Sequence, residues 1–589
     1  MLPNWQSYVE LPEWATEFRP HQIEAIEALY RGFEDRKVMF LDAPTGAGKT
    51  LIGETMRQLA SLTWDSKSGL YACTTKTLQD QVMHDFPYAQ LIKGRGNYST
   101  YDEEDRFDAL GARRLTAGMC TKKGIPSDQF PVCDQCEFAP ADLRENQGHG
   151  GAHEVQTLLH CHHCHPWQYC PYEVAKYDAL HSPFVVANTA YLLTEANRVG
   201  RFGVQDNKSY AFPFMVIDEA DTLESVIMSY VELLIPRRAI AELDVGLPAQ
   251  KTKPEWWLEW ASRTKEKVKR RCATLAGELA VYQAEPPPPA LQSENERWQR
   301  YLSQLETVIH DLALQPDNWV LDGIDEGFVR LKPVEVSSYG QSLIWRHSER
   351  FLLMSATMIS PKQMAQDLGL HDQEWGSVEV ESNFPVSRRP VYVTPAATVS
   401  HKTKDKDWPM IADEIVEVLN KHPHERVLIH SVSYPMTAFI ADHLKRSDHG
   451  HRVVTYTEAS GRDEAVATYR QRESSVIVAP SLDRGIDLPD DLCRVIIIAK
   501  VPFPNLGDKQ VSQRFYGTPT GKGWFYMQTV RSIVQMTGRG MRHKDDYVTT
   551  YILDGQFSNN VWPSPFGRSR IPKWWADALV WPAPKRRER

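Results

Sequence analysis

One stretch near the start of the chain constrains the fold more than any other. In KVMFLDAPTGAGKTLIGETMRQLA (37–60), the apolar run from Val38 to Leu41 predicts a buried strand, and the residues from Leu51 onward predict a helix. The Gly-rich segment between them has the form of a phosphate-binding loop, whose backbone N–H groups close around phosphates. We therefore expect a nucleoside triphosphate to bind here. The residues predicted to bind it are Thr45, Gly46, Gly48, Lys49 and Thr50. We expect Lys49 to reach the β- and γ-phosphates and the Thr50 hydroxyl to bind Mg²⁺.

A second apolar run, FMVIDEADTLE (214–224), predicts a strand that ends in two carboxylates. Asp218 is suited to hold Mg²⁺ through water, and Glu219 is suited to polarise the water that attacks the γ-phosphate. An acidic pair at the end of a strand is often only solvated. Here the strand is purely apolar and a phosphate loop lies upstream, so we predict a catalytic role for both residues.

The segment SIVQMTGRGMR (532–542) carries the predicted second half of the site. We expect Gln535 to open a helical segment in which Arg539 and Arg542, three residues apart, share one face. Two arginines that reach across a cleft would stabilise the charge that develops on a transferred phosphoryl group. All three residues are predicted to be catalytic.

Composition limits the class of protein. The chain has 589 residues, no run of 18 apolar residues and no basic start followed by an apolar stretch, so we expect neither a membrane span nor a secretory signal. A cytoplasmic, reducing location follows, in which clustered cysteines favour metal binding over disulfides. The net charge of −9 excludes a basic whole-protein surface but leaves room for a local basic groove.

Further short segments occur in a fixed order along the chain. They are EFRPHQIEAI (17–26), GLYACTTKTLQDQ (69–81), FLLMSATM (351–358) and SVIVAPSLDRGIDLP (475–489). Together with the phosphate loop, the acidic pair and the Arg-containing segment, they make the chain resemble superfamily 2 helicases, and within them the XPD/DinG family. One departure is Asp221, which stands where that family usually has histidine, and which we expect to alter coupling between ATP and DNA.

The resemblance implies an α/β fold with two RecA-like parallel-sheet motor domains, and two domains inserted into the first. The implied division is motor domain 1 at 1–93, an iron–sulfur domain at 94–183, motor domain 1 again at 184–224, a helical Arch domain at 225–340, the end of motor domain 1 at 341–385, and motor domain 2 at 386–589. It also implies that Arg19 and Gln22 lie where helicases recognise adenine.

Six cysteines lie in the first implied insertion, and three partitions of them remain open. A 4Fe–4S cluster held by Cys120, Cys161, Cys164 and Cys170 resembles the DinG arrangement. A cluster held by Cys120, Cys133, Cys136 and Cys170 has spacings similar to archaeal XPD. The third is a zinc site made of the pairs Cys133-x2-Cys136 and Cys161-x2-Cys164. Cys73, Cys272 and Cys493 fall in strand or helix patterns and are predicted to be core residues.

The function implied by the resemblance is that of an ATP-dependent DNA helicase. It would require ATP and Mg²⁺, move on single-stranded DNA with 5′→3′ polarity and separate forked DNA at an iron–sulfur wedge. An alternative remains open, in which the motor remodels or displaces nucleic-acid complexes without processive unwinding, inside a larger assembly.

Overall fold

The computed structural model describes residues 3–94, 97–98, 171–199, 202–204, 210–248, 250, 252–281, 289–324, 327–382, 384–400, 402–480, 482, 488–541 and 545–582. Within these ranges the chain forms two α/β domains, each built on a seven-stranded sheet in which every strand pair is parallel. The predicted fold class, two RecA-like parallel sheets, is confirmed. No helix in the described ranges is both long and apolar enough to span a bilayer.

The first domain has the strand order β10-β1-β9-β5-β2-β4-β3. The central strands are buried on both faces, because helices cover each side of a parallel sheet. The elements are α1 (Pro20–Asp35), β1 (Val38–Asp42), α2 (Lys49–Thr63), β2 (Gly69–Cys73), α3 (Lys76–Asp85), β3 (Gln90–Ile92), α4 (Pro171–His181), β4 (Phe184–Asn188), α5 (Thr189–Thr194), β5 (Phe214–Ile217), α6 (Leu223–Val231), and, after the second insertion, α10 (Gly340–Leu343), β9 (Arg350–Ser355), α11 (Pro361–Asp367) and β10 (Trp375–Glu379).

The chain leaves the first domain before the first insertion and returns to it at the same place. The rings of Tyr98, before the six cysteines, and Tyr172, directly after them, lie 5.6 Å apart between centroids. Tyr172 and Lys176 of α4 both bind the buried carboxylate of Glu195, at 3.1 and 2.5 Å. The point of return is therefore fixed to the first domain by a buried ion pair.

The second insertion, residues 233–333, combines two long helices with a small antiparallel sheet of order β6-β8-β7. Helical periodicity predicts the helices, which pack around buried Trp260 and Trp298. The sheet was not predicted, because its strands are short and flank the helices at both ends of the insertion. The elements are β6 (Leu233–Pro236), α7 (Arg237–Glu242), α8 (Pro254–Ala280), α9 (Pro289–Leu314), β7 (Trp319–Asp322) and β8 (Phe328–Pro333).

The second domain has the strand order β13-β14-β12-β15-β16-β11-β17. Its elements are β11 (Val391–Ala397), α12 (Lys404–Lys421), β12 (Val427–His430), α13 (Tyr434–Lys445), β13 (Val453–Thr455), α14 (Arg462–Gln471), β14 (Val476–Ala479), β15 (Val495–Ile498), α15 (Lys509–Gly517), α16 (Gly521–Thr537), β16 (Thr549–Asp554), α17 (Pro565–Arg568), α18 (Lys573–Ala576) and β17 (Leu579–Val580).

Buried charges hold α15 against the first domain. Arg514, which is fully buried, pairs with Glu224 of α6 and, at 2.8 Å, with Asp367 of α11. The Trp524 indole N–H donates to the same Glu224 at 3.0 Å. At the second insertion, Lys332 pairs with Asp508 at 2.8 Å. The two sheets are thus held in one orientation by hydrogen-bonded ion pairs.

Candidate active site

The phosphate loop connects β1 to α2 as the sequence predicts. Gly46 and Gly48 both have φ near +80°, a left-handed conformation that glycine adopts without steric cost. At Gly48 a Cβ atom would also lie 2.2 Å from Nε2 of Gln22, so a side chain there would displace the Gln22 amide that bonds the Ala47 carbonyl. Helix α2 then begins at Lys49, so its N-terminal N–H groups face the loop.

The start of α1 braces this loop through its carbonyl groups. The Arg19 guanidinium donates to the carbonyl of Gly46, and the Gln22 amide donates to that of Ala47, each at 3.1 Å. Gln22 Oε1 accepts from the Arg19 backbone N–H at 2.9 Å. Arg19 and Gln22, which the resemblance places at adenine, therefore contact the phosphate loop directly.

Lys49 lies where it can reach phosphates. In this structure its ammonium donates to the carbonyls of Ala43 and Pro44, at 3.1 and 3.3 Å. Burial lowers the pKa of Lys49, while the nearby carboxylates, first of all Asp218, act in the opposite direction. The lysine and the acidic strand end thus share one buried corner of the sheet.

The two carboxylates follow β5 at the carboxyl edge of the sheet, beside the phosphate loop, where parallel α/β proteins bind their ligands. Asp218 is 6% exposed, and one of its oxygens accepts from the backbone N–H of Glu219 at 2.8 Å. Glu219 has φ +48° and its side chain accepts a hydrogen bond from the Thr74 hydroxyl. Thr74 directly follows β2, in the segment predicted to contact the nucleic-acid backbone.

Tyr71 is a site residue that the sequence did not reveal. Its hydroxyl donates to Asp218 Oδ2 at 2.7 Å, and the Thr50 side chain is close enough to oppose the rise in the pKa of Tyr71. Burial and the adjacent Asp218 carboxylate raise the pKa of Tyr71 well above its usual range, so it remains a donor. A tyrosine inside the apolar strand GLYAC gives the same sequence pattern as a core residue, which explains why it was missed.

A divalent cation fits this corner. The Tyr71 hydroxyl bonds the Asp218 carboxylate, and Thr50 lies in the first turn of α2, near enough to affect the pKa of Tyr71, so both predicted ligands lie next to the loop. Hydroxyl and carboxylate oxygens, completed by phosphate oxygens and water, are the donors that Mg²⁺ prefers.

Asp221 lies at a junction between the two domains. Its carboxylate accepts from the Ser355 hydroxyl at 2.7 Å and from the Gln535 amide at 3.0 Å. Gln535 also donates to Thr357 at 2.8 Å. Buried Arg531 lies 3.8 Å from the same carboxylate and donates to the Asp221 backbone carbonyl at 3.3 Å. Carboxylate strand, Ser-Ala-Thr segment and α16 therefore meet at one side chain.

The prediction that Gln535 opens a helical segment containing Arg539 is wrong. Gln535 lies near the end of α16, which finishes at Thr537, so the motif closes a helix and does not open one. Half-buried Arg539 lies in the turn that follows. Gly540 sits so close to the Cys493 carbonyl that a Cβ atom would lie 2.6 Å from it, so the chain packs tightly after leaving the helix. Arg542 falls outside the described residues.

The predicted metal ligands also fall outside the described residues, namely Cys120, Cys133, Cys136, Cys161, Cys164 and Cys170. Within the described part of the chain, no group of three or more metal-ligating side chains is present. The three remaining cysteines, Cys73, Cys272 and Cys493, are buried, as predicted, and burial raises the pKa of each thiol.

Two family models match parts of the chain. Residues 415–578 match the helicase C-terminal domain, and residues 15–113 match the model described as type III restriction enzyme, res subunit. The first covers most of the second α/β domain, and the second covers the phosphate loop.

Curated relatives of the chain include proteins named as helicases. The chain is 27% identical over 135 residues to the ATP-dependent DNA helicase CHL1 of Saccharomyces cerevisiae, covering 20% of this chain and 15% of that protein. It is 23% identical over 252 residues to a regulator of telomere elongation helicase 1 homolog of Drosophila virilis, covering 37% of this chain and 25% of that protein. The matches thus span a quarter or less of each relative's length.

A solved XPD helicase shares the fold, with a TM-score of 0.58, 15% identity and coverage of 96% of this chain and 100% of that one. Together with the family models and relatives, it confirms the predicted resemblance to XPD-type helicases of superfamily 2.

The hydrogen bond from Tyr71 to Asp218 predicts that loss of the hydroxyl weakens nucleotide binding. We expect Tyr71→Phe to weaken binding of Mg²⁺–ATP by about 10- to 150-fold, since a hydrogen bond to a charged group contributes about 1.5–3 kcal/mol. Isothermal titration at several Mg²⁺ concentrations measures the effect, and excess Mg²⁺ should partly restore binding. The control is Tyr469→Phe, which removes an equally buried hydroxyl whose 2.7 Å bond to the Leu492 carbonyl lies in the second domain. Equal binding by both variants would contradict the role of Tyr71.

Proposed function

We propose that this chain is an ATP-dependent DNA helicase of the XPD type. The observation that carries the proposal is the junction at Asp221, which follows Glu219 by two residues and bonds both Ser355 of the first domain and Gln535 of α16 in the second. A triphosphate on the phosphate loop would lie in the cleft between the two domains. The relatives named as DNA helicases support DNA as the polymer that the motor acts on.

In the proposed reaction each residue has a distinct task. The Lys49 ammonium moves from the carbonyls of Ala43 and Pro44 to phosphate oxygens, because hydrogen bonds between charged partners are the stronger ones. Glu219 orients the attacking water. Bound Mg²⁺, held by Thr50 and Asp218, would neutralise charge on the phosphate oxygens.

The second domain contributes its charges when the cleft closes. Arg539 and Arg542 would stabilise the negative charge on the transferred phosphoryl group, as cationic side chains do in other phosphoryl-transfer sites. Arg531 has a different task, because its guanidinium is committed to the carbonyls of Thr357 and Met358 and to Asp221. It would hold α16 in register with the first domain.

One hydrogen bond would connect the DNA-binding segment to the catalytic carboxylate. Thr74 donates to Glu219, and the Asn188 amide donates to the Thr74 carbonyl at 2.8 Å. A phosphate backbone bound at this sheet edge would therefore act on the residue that orients the attacking water. The 5′→3′ polarity is proposed from the resemblance.

We also propose that four of the six cysteines between 120 and 170 hold a 4Fe–4S cluster. Their number and spacing support it. Thiolate donors suit either an iron–sulfur cluster or zinc. In the proposal, this unit stands where the duplex is separated.

Replacing the water-orienting carboxylate tests the proposed activity. Glu219→Gln should lower the single-stranded-DNA-stimulated rate of ATP hydrolysis by roughly 10²–10⁴-fold, because a positioned general base contributes about that factor. ATP binding should persist. Glu349→Gln is the control, since this glutamate is 45% exposed on the surface of the first domain. Phosphate release and strand separation of a forked duplex are the measurements.

Wild-type protein that hydrolyses ATP with DNA but leaves forked duplex intact would favour the remodelling alternative. Full hydrolysis by Glu219→Gln would refute the assigned site.

The junction predicts loss of coupling. Asp221→Asn keeps the shape of the side chain but removes the charge facing buried Arg531, so the closed arrangement should be weakened by about 1.4 kcal/mol or more. We expect the ratio of DNA-stimulated to unstimulated ATP hydrolysis to fall about tenfold. Asp442→Asn, which loses only an exposed pair with Arg446, should leave the ratio unchanged. An unchanged ratio in Asp221→Asn would contradict the coupling role.

The cluster is tested by anaerobic purification and metal analysis. We expect a brown protein with about four irons per chain, and one zinc in place of iron would overturn the cluster. Cys170→Ser should abolish unwinding of forked DNA while sparing more of the ATP hydrolysis. Cys272→Ser, which changes a buried cysteine of α8, is the control. Normal unwinding by Cys170→Ser would rule out the proposed role.

A further inference from the structure

Glu224 connects the acidic segment 218–224 to the second domain at a second place, apart from Asp221. It lies in the first turn of α6, and its carboxylate accepts hydrogen bonds from two groups of the second domain. One is the guanidinium of Arg514 in α15, which is fully buried. The other is the indole N–H of Trp524 in α16, at 3.0 Å. The Arg514 guanidinium also lies 4.2 Å from the centroid of the Trp524 ring, so the three side chains form one compact group.

Arg514 has further partners in the first domain. Asp367 of α11, which is 5% exposed, accepts from Arg514 at 2.8 Å and from Gln363 at 3.1 Å. The carboxylate of Glu335 lies 3.8 Å from the same guanidinium. A guanidinium has five N–H donors in one plane and can therefore serve several acceptors at once. The arginine thus stays paired, and α15 stays attached to the first domain, when the charge of Glu224 is removed.

The backbone between Glu219 and Glu224 is short and ordered. Glu219 has φ +48°, and a turn of 3₁₀-helix, Ala220–Thr222, follows it. The Thr222 hydroxyl donates to the Glu219 carbonyl at 2.8 Å, which closes the turn. Helix α6 then begins directly. A displacement of Glu224 would therefore move the water-orienting carboxylate as well.

Helix α16 contacts the acidic segment near both of its ends. Trp524, near the start of the helix, donates to Glu224, and Gln535, near its end, donates to Asp221 at 3.0 Å. The two residues are about 16 Å apart along the helix at 1.5 Å per residue. One contact alone would let α16 pivot over the acidic segment. Two contacts at separate positions fix the direction of the helix.

We propose that Glu224 is a positioning residue for hydrolysis of the nucleoside triphosphate. Together with Arg514 and Trp524 it sets the direction of α16 against the acidic segment, and so the place of Glu219 relative to the end of that helix. The inference rests on the proposed function, because it concerns the hydrolysis that the motor would carry out. Glu224 acts through Glu219 and α16, so its loss lowers the catalytic rate and leaves nucleotide affinity unchanged.

Glu224→Gln tests this role in the full chain. The variant keeps the length of the side chain, and Arg514 keeps Asp367, so the chain should fold. We expect kcat for ATP hydrolysis, at saturating single-stranded DNA, to fall about 10- to 100-fold, because a misplacement of about 1 Å can cost 10²-fold. The Kd for Mg²⁺–ATP, measured by isothermal titration, should change less than about twofold, because Gly46 and Lys49 of the phosphate loop are intact.

Two further variants separate positioning from general loss of interdomain contact. Trp524→Phe removes only the indole N–H and should also lower kcat. Combined with Glu224→Gln, its effect should be less than the product of the two single effects, because both changes act on one hydrogen bond. Gln513→Ala is the control, because Gln513 lies on α15 but donates to the Asp317 carbonyl in the second insertion, at 3.1 Å. It should keep kcat within about twofold, as exposed substitutions usually do.

Circular dichroism establishes that each variant is folded, and Trp524→Phe alone decides the matter if Glu224→Gln does not fold. The inference is overturned by an unchanged kcat in the folded variant, by a rise in the Kd for ATP that matches the fall in kcat, by an equal loss of kcat in Gln513→Ala, or by fully multiplicative effects in the double variant. A wild-type chain without DNA-stimulated ATP hydrolysis would refute the proposed function itself, and the inference with it.

Discussion

The carboxylate of Asp221 is buried, and a buried charge is stable only where oppositely charged or hydrogen-bonding groups surround it. Those groups come from two separate parts of the chain, Ser355 of the first domain and Arg531 and Gln535 of α16 in the second. Removing one partner of a buried ion pair costs about 3–5 kcal/mol, so the relative position of the domains depends on this junction. The orientation of α16, and with it the position of Arg539, follows from the same contact.

The junction works because the parallel sheet brings distant segments to one edge. Strands β1, β2, β5 and β9 all end on the same side, so the phosphate loop, Thr74, Asp218 and Ser355 become neighbours although they lie far apart in the sequence. This is why short motifs in a fixed order are informative. Each of these four segments stands at the end of a strand of the first sheet, so the sheet brings them together at one edge.

Much of the fold, including the strand, loop and helix at 37–60, was predictable from the sequence, because these patterns reflect local chemistry. The position of Tyr71 in the site was not, since it is an ordinary aromatic in an apolar strand. The end of α16 was misplaced because helical spacing of the arginines says nothing about packing after Thr537. Residues that act across an interface leave little periodic signal in their own segment.

The meeting of Tyr98 and Tyr172 has an evolutionary consequence. Since the chain leaves the first domain and comes back to it at one spot, the sheet is complete whichever segment lies between, and a short bridge would close the gap without disturbing the strand order. The segment can therefore be exchanged without a change in the sheet. Natural selection can lengthen it, rearrange its cysteines or replace it with a different segment, while the first α/β domain keeps its strand order.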